Sequence, residues 1–228
     1  MRPITAHGAE DALVYGYKLS VPARPGSTPG PGQSSAAVQP LDLFATRIWQ
    51  ARFPTLAPRF ADWIAAVAAL RAAAPEPAGR SNRLGWNSAD DAILDRPEFA
   101  ELDAAVRAFC RHALNEMGLP AQAFQLQSWI NIHDKGGFNF LHMHEHSMLS
   151  GTFYLQTPEG SGGLVLRDPR PHVLSSFIKG AAPNAHSDVS VKPEPGLIVL
   201  FPSWLEHFVE PHAAETPRIS IPFNAIKP

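Results

Sequence analysis

The sequence has one cysteine, Cys110, among 228 residues. A single thiol excludes an internal disulfide and a thiolate-rich zinc site, which favours a reducing compartment. A strong charge of either sign is also lacking, because 19 Lys and Arg stand against 21 Asp and Glu. This balance offers no basic excess for phosphate backbones. No secretory pattern and no apolar run long enough to span a membrane is present. We therefore expect a cytoplasmic protein that binds neither nucleic acid nor membrane.

Proline, by contrast, is abundant, with 23 residues in the chain. Many of them lie with Gly, Ser and Thr in the stretch VPARPGSTPGPGQSSAAVQP, residues 21–40, a composition that cannot bury enough apolar surface to order itself. We interpret residues 1–39 as an N-terminal extension with a Pro/Gly-rich linker. A hydrophobic fraction of 45% predicts that residues 40–228 fold as a single domain.

The hydrophobic period changes along this domain. Between residues 56 and 117, two stretches repeat apolar residues at steps of three and four, as amphipathic helices do. From residue 121 onward, short alternating runs are separated by Pro, Gly and Asn, with a turn expected at Asp134–Gly137. Many short strands after two helices predict an α+β, mainly β fold: a double-stranded β-helix, or jelly roll, over 121–228 with the N-terminal helices packed on it.

Histidines are clustered in the segment FLHMHEH, residues 140–146. Because side chains two apart on a strand face the same way, His142 and His144, and also His146, point together. His207 follows the strand-like run GLIVLF and is a candidate third ligand. Such a thiolate-free, imidazole-rich site suits iron(II) among other metals and leaves coordination positions open. Downstream, Arg218 and Ser220 share a strand face, and a guanidinium with a hydroxyl binds a carboxylate well.

Several blocks of the chain together resemble the 2-oxoglutarate and iron(II)-dependent oxygenases with a double-stranded β-helix core. The blocks, in chain order, are GWNSADDAILDRPEFAELDAAVRAF from residue 85, SWINIHDKGGFNFLHMHEHSMLSGTFYL from 128, RDPRP from 167, GLIVLFPSWLEHFVEP from 196 and RISIPFN from 218. The resemblance implies two cofactors, Fe(II) and 2-oxoglutarate as cosubstrate. It implies an oxidative decarboxylation of 2-oxoglutarate to succinate and CO2, coupled to hydroxylation of a substrate.

The resemblance also assigns residue roles. It makes His142, His144 and His207 the iron ligands, and it makes Arg218, supported by Ser220, the binding site for the distal carboxylate of 2-oxoglutarate. Tyr154 is a further candidate for that carboxylate or for the pocket wall.

The chain departs from the wider superfamily at His144, where an acidic residue is usual. An all-imidazole triad leaves the iron with one more positive charge than two histidines and a carboxylate would. Two alternatives stay open at this point: His146 replaces one of the pair, or Glu145 turns inward, although a neighbour of His144 faces away on a regular strand.

The remaining site predictions concern the substrate pocket and four other histidines. Trp129, Asn131 and Trp204 lie near the proposed metal strands and are candidates for the substrate pocket, although core packing explains the tryptophans equally well. His133 and His212, and likewise His172 and His186, sit in turn-like contexts, so we expect them to be solvated.

Two other functions use the same residues differently. A three-histidine enzyme of cupin type would bind metal without 2-oxoglutarate and would not need Arg218. A non-catalytic jelly-roll binding module would hold any metal in a closed coordination shell. The sequence does not distinguish a small-molecule substrate from a protein side chain, and it leaves open whether the helices pack on the barrel or on a second subunit of a homo-oligomer.

Overall fold

The computed structural model describes residues 44–170 and 187–228, together with two short strands near the N-terminus. These strands, β1 (Ala12–Val14) and β2 (Tyr17–Leu19), pair with each other in antiparallel register. The predicted linker over residues 21–40 lies outside the described residues. The chain divides into two units, Met1–Ala45 and Thr46–Pro228, and the second carries the architecture described below.

The described residues of the second unit form two α-helices and ten strands. Three short 3-10 helices, Pro54–Arg59, Ile93–Asp95 and Pro97–Phe99, precede the α-helices or lie between them. The helices and strands are α1 (Phe60–Ala73), α2 (Ala100–Glu116), β3 (Trp49–Arg52), β4 (Asn82–Asn87), β5 (Gln125–Ser128), β6 (Asn131–His142), β7 (Ser147–Gln156), β8 (Leu164–Arg167), β9 (Asp188–Val191), β10 (Leu197–Pro202), β11 (His207–Val209) and β12 (Arg218–Ile226).

All ten strands join one curled antiparallel sheet. Its order is β3-β10-β7-β12-β6-β11-β8-β9, with β4 paired to β6 and β5 paired to β12. Neighbours that are distant in sequence, such as β7 and β12, are adjacent in the sheet, as in a jelly roll. The predicted α+β, mainly β class and the jelly-roll core with two N-terminal helices are confirmed.

The two faces of the sheet carry different kinds of buried side chain, apolar on one face and polar on the other. On β12, Ile219, Ile221 and Phe223 belong to the same apolar cluster as residues of α1 and α2. The alternate residues Arg218 and Ser220 are also buried, but they line a cavity on the other face. Because strand side chains alternate between faces, one strand contributes to the helix-packed core and to a polar interior at once.

The helices bury the apolar stripes that the sequence predicts. Trp63 and Val67 of α1 and Val106 of α2 are fully buried in the core. Trp63 also donates its indole N–H to the Glu98 carbonyl at 2.8 Å, and its ring centroid lies 5.9 Å from that of Phe153 on β7. These contacts attach the helices to the sheet. Within the described residues, no helix has both the length and the apolar character of a membrane span.

The strand prediction was incomplete. Strand β4 lies within residues 56–117, where only helices were expected, and β3 lies just before that segment. Both strands extend the sheet. The predicted turn at Asp134–Gly137 is wrong, because these residues lie inside β6. The two glycines there lie instead at a register shift in the pairing of β4 with β6. Gly136 has φ +84°, and a Cβ on Gly137 would lie 2.7 Å from the Leu84 carbonyl oxygen.

Replacing Trp63 by Ala is expected to cost about 4 kcal/mol of unfolding free energy, because the change leaves a large cavity and an unpaired carbonyl between helix and sheet. Urea unfolding followed by circular dichroism measures the difference.

Trp204→Ala is the matched control, since Trp204 is 50% exposed. Its loss is expected to cost about 1 kcal/mol or less. Equal losses in the two variants would contradict the assignment of Trp63 to the core that joins α1 to the sheet.

Candidate metal centre and carboxylate site

Three histidines converge because β11 pairs with β6 and places His207 directly opposite His142. His144 follows the end of β6, where its backbone N–H donates to the Ser203 carbonyl at 3.0 Å. The ring centroids of His142 and His207 are 4.3 Å apart, and that of His144 lies 5.0 and 5.2 Å from them. One nitrogen from each ring lies within 4.8 Å of the others. This spacing allows all three to bind one cation.

Backbone carbonyls select which nitrogen of each ring is available. The Nδ1 of His207 lies 2.9 Å from the Leu205 carbonyl oxygen, and the Nδ1 of His142 lies 2.6 Å from that of Phe140. In each case Nδ1–H donates to the carbonyl, which leaves the Nε2 lone pair as the one that can bind a metal. At His142 this lone pair accepts from the Ser81 hydroxyl at 3.3 Å, a bond that a metal would replace.

The two alternative ligands lie elsewhere. Glu145 and His146 occupy the turn between β6 and β7, where the side chains are 72% and 95% exposed. His146 has φ +62°, a left-handed conformation that redirects the chain into β7. Among the described residues, no carboxylate joins the histidine cluster, so its donor set consists of imidazoles.

Burial keeps these imidazoles neutral. Loss of solvation lowers the pKa of His207 to about 3, with a further contribution from His142. Burial also lowers the pKa of His144 to about 4, with smaller contributions from His142 and Arg80. A neutral imidazole is the form that binds a metal, so no proton has to leave these rings at neutral pH.

Arg218 is the other unusual group of the interior. It is 1% exposed, and no ion pair to it is found in the described part of the chain. Its Nη1 donates to His133 Nδ1 at 2.9 Å and lies 3.5 Å from Ser220 Oγ, while its Nε has no partner. Burial lowers the pKa of Arg218, which reflects the cost of holding a cation here without an anion.

Further polar atoms around Arg218 lack hydrogen bonds. The hydroxyl of Tyr154, whose ring lies 5.1 Å from the Arg218 guanidinium carbon, has no partner within the described residues, and neither does Thr152 Oγ1. Buried polar groups are rarely left unpaired, so this cluster is suited to bind a polar ligand or ordered water.

Two adjoining cavities connect these groups. The inner cavity, of about 50 Å³, is bordered by the three histidines and by Tyr154, Arg218 and Ser220. The outer cavity, of about 490 Å³, is bordered by His142 and His144. Because these two histidines line both, the predicted metal ligands lie between an inner polar site and an outer open one.

The three predicted pocket residues differ in position. Trp129 and Asn131 line both cavities, and the Trp129 ring lies 5.6 Å from that of His144. Trp204 is half exposed and lines neither cavity.

Sequence reasoning missed two histidines and a serine. His133 and His212 were expected to be solvated, yet both are buried, and burial lowers the pKa of His133 to about 3. The predicted period-two pattern of this strand would have placed His133 beside Asn131 on the interior face. Ser81 Oγ, 3.3 Å from His142 Nε2, precedes the unpredicted strand β4 and had no such signal. His172 and His186 lie outside the described residues.

The buried histidines make the stability of the metal-free protein depend on pH. Between pH 6.5 and 3, His207 binds a proton in the unfolded chain but stays neutral in the folded protein. The contribution of His207 to the free energy of unfolding is therefore fully present above pH 6.5 and is lost as the pH falls toward 3. Between pH 6.5 and 5 the loss from this residue is about 2 kcal/mol. In urea unfolding of metal-free protein, the free energy of unfolding should fall by that much less between pH 6.5 and 5 in His207→Gln than in the wild type. His112→Gln, at an exposed histidine of α2, is the control, and an unchanged pH dependence in both variants would contradict the prediction.

Solved structures with a similar fold are all remote in sequence. A prolyl-4-hydroxylase from Pseudomonas putida superimposes with a TM-score of 0.57 at 20% identity, over 80% of this chain and 94% of that chain. HygX from Streptomyces hygroscopicus superimposes with a TM-score of 0.57 at 13% identity, over 80% of this chain and 83% of that chain. A prolyl hydroxylase from Trichoplax adhaerens superimposes with a TM-score of 0.56 at 12% identity, over 79% of this chain and 83% of that chain. These matches establish the fold.

The sequence itself matches a family. No curated protein matches it, but residues 127–224 match the model of the family described as "Putative 2OG-Fe(II) oxygenase". The matched range begins in β5 and ends in β12, so it contains the three histidines and Arg218. Over residues 127–224, the chain is therefore similar to the 2OG-Fe(II) oxygenases that this family model describes.

Proposed function

We propose that this protein binds iron(II) through His142, His144 and His207, binds 2-oxoglutarate with one carboxylate on Arg218, and hydroxylates an organic substrate. The observation that carries this proposal is the buried guanidinium of Arg218, which faces a cavity shared with the histidines and has no acidic partner among the described residues.

The energetics of Arg218 favour an anionic ligand. Holding an unpaired charge away from water costs several kcal/mol, and an entering carboxylate offsets that cost. The Tyr154 hydroxyl is unpartnered, and the Ser220 hydroxyl lies beside the guanidinium. Both can donate to the same carboxylate, and charge-assisted hydrogen bonds of this kind are among the strongest in proteins.

The donor set of the histidine cluster fits iron(II). Neutral imidazole binds iron as well as zinc, copper and nickel, and three protein ligands leave coordination positions for other groups. The site adds no negative charge of its own, so a dianionic cosubstrate balances the charge of a divalent cation. HygX, one of the similar folds, has been crystallised with nickel and 2-oxoglutarate.

When bound, iron(II) supplies the means of reducing dioxygen with electrons from 2-oxoglutarate: one oxygen atom enters succinate, CO2 leaves, and the other oxygen atom enters a C–H bond of the substrate. This chain's residues hold the reactants. His142, His144 and His207 hold the metal, Arg218 orients the cosubstrate by its far end, and the apolar wall, including Phe201, limits access of water.

The first prediction concerns cosubstrate binding. Anaerobic titration of 2-oxoglutarate into the iron(II)-loaded protein is expected to produce the weak visible charge-transfer band of chelated cosubstrate. Arg218→Met, which removes the charge but keeps an unbranched apolar stem, is expected to need at least about tenfold more 2-oxoglutarate for half the band.

His207→Ala is expected to abolish the band, since one of three ligands is lost. Trp204→Ala, a half-exposed change that touches neither cavity, is the control and should retain it. Stoichiometric iron binding without a band would favour a three-histidine enzyme that uses no cosubstrate. A failure to bind iron would contradict the metal assignment itself.

We further propose that His133 positions Arg218. As the neutral acceptor of an Arg218 N–H, it fixes the guanidinium so that its other N–H groups remain available to the cavity. His133→Leu removes the acceptor and is expected to raise the 2-oxoglutarate concentration for half the band severalfold while iron affinity stays unchanged.

His212→Leu is the matched control. His212 is equally buried, but its Nε2 donates to the Thr216 carbonyl at 2.8 Å, and it lines neither cavity. Equal effects of the two variants, or a loss of iron binding in His133→Leu, would point to a general structural role and contradict the positioning role.

A further inference from the structure

The outer cavity has one permanently charged residue in its lining. This residue is Arg80, and no Asp or Glu lines the cavity within the described ranges. The other polar lining groups are amides, hydroxyls and the neutral histidines. A concave site whose fixed charge is a single cation attracts an anion.

Arg80 has no acidic partner among the described residues, in contrast to two other arginines of the same region. Arg71 pairs with Asp134 at 2.7 Å and Arg96 pairs with Asp90 at 2.9 Å. No ion pair involves Arg80 in the described structure. Its guanidinium lies 5.1 Å from the ring centroid of Trp129, and a cation over an indole face is held in position without being neutralised.

Trp129 extends this arrangement to the metal centre. It is 7% exposed and lies against the ring of His144. The side chains of Arg80, Trp129 and His144 therefore form a series of contacts from the outer cavity to the predicted metal ligands.

Asn131 supplies a second binding group. It is 7% exposed, its Oδ1 has no hydrogen-bond partner in the part of the chain described, and it lines both cavities. A buried amide oxygen without a donor costs free energy that a ligand N–H or O–H offsets.

We propose that the primary substrate is a small carboxylic acid that places its carboxylate on Arg80 and an N–H or O–H group on Asn131 Oδ1. The identity of this site as a substrate site rests on the proposed function, but the binding of an acid does not. A cavity of about 490 Å³ is within the range of small-molecule sites. Iron(II), a 2-oxoglutarate dianion and three neutral imidazoles sum to zero, so they do not repel a further anion.

The test uses matched pairs of probes. N-acetyl amino acids carry both a carboxylate and an N–H donor, and their primary amides keep the donor but lose the charge. Binding is measured by saturation-transfer NMR and titration on zinc(II)-loaded protein, with 2-oxoglutarate in excess so that Arg218 is occupied. We expect the best acid to bind at least about tenfold more tightly than its amide.

Arg80→Gln is expected to reduce this preference to less than about twofold while leaving the iron and 2-oxoglutarate band intact. Arg83→Gln is the matched control. Arg83 is also exposed and also stacks on an aromatic ring, that of Phe140, but it does not line the cavity, so the preference should persist.

Three results would overturn the proposal: equal binding of acids and amides, no binding of any acid, or a preference that survives Arg80→Gln. Preferred binding of uncharged peptides, unaffected by Arg80→Gln, would assign the cavity to a protein segment along the exposed side chains of Phe140 and Met143 and would also overturn it. Failure of the proposed function would give a different result from failure of this substrate-site proposal. In that case the wild-type band is absent, whereas the acid preference is still measured on metal-free protein.

Discussion

In strands β6, β7 and β12, the alternation of side chains requires one sheet to satisfy two environments. Ile132, Phe153 and Ile221 pack into the core shared with the helices, while Asn131, Tyr154 and Ser220 face the cavities. A shift of one residue in any of these strands would exchange the two sets. The helices therefore do more than cover the sheet. The apolar face that they bury fixes the register that directs every polar group inward.

That polar interior is costly by itself. Among the described residues, Arg218 has no acidic partner, and the Tyr154 hydroxyl and Asn131 Oδ1 have no hydrogen-bond partner. Each of these lowers the stability of the fold. The helix-side core, with Trp63 and Phe153 fully buried, offsets this cost. Strain and unsatisfied groups of this kind concentrate at functional sites. Stability and binding are thus divided between the two faces of the same strands.

Much of this arrangement could be predicted from the sequence, because it depends on periodicity. The stripe of Trp63 and Val67 identified α1, and the spacing of His142 and His144 identified a shared face. Strand β4 was missed because NRLGWN has no alternating pattern and owes its conformation to pairing with β6. The Gly136–Gly137 pair was interpreted as a turn, since a local signal does not distinguish a turn from an irregularity within a long strand.

The site shows the same division. The ligand spacing and the Arg218–Ser220 pair are local and were recognised as such. The contact between His133 and Arg218 joins two distant strands through the register of β6 and β12. The stacking of Arg80 on Trp129 joins the segment before β4 to the connection between β5 and β6. Such contacts depend on tertiary pairing, so no pattern within one segment predicts them.

The pairing of His142 with His207 has a mechanical consequence. Strand β11 has three residues and connects β6 to the edge strands β8 and β9, so few backbone hydrogen bonds attach that edge to the rest of the sheet. A cation bound to both histidines acts as a cross-link between residues 142 and 207 and closes a long loop of chain. A metal bound to both histidines would therefore slow the opening of this edge, and proteases would cleave the edge faster when the site is empty.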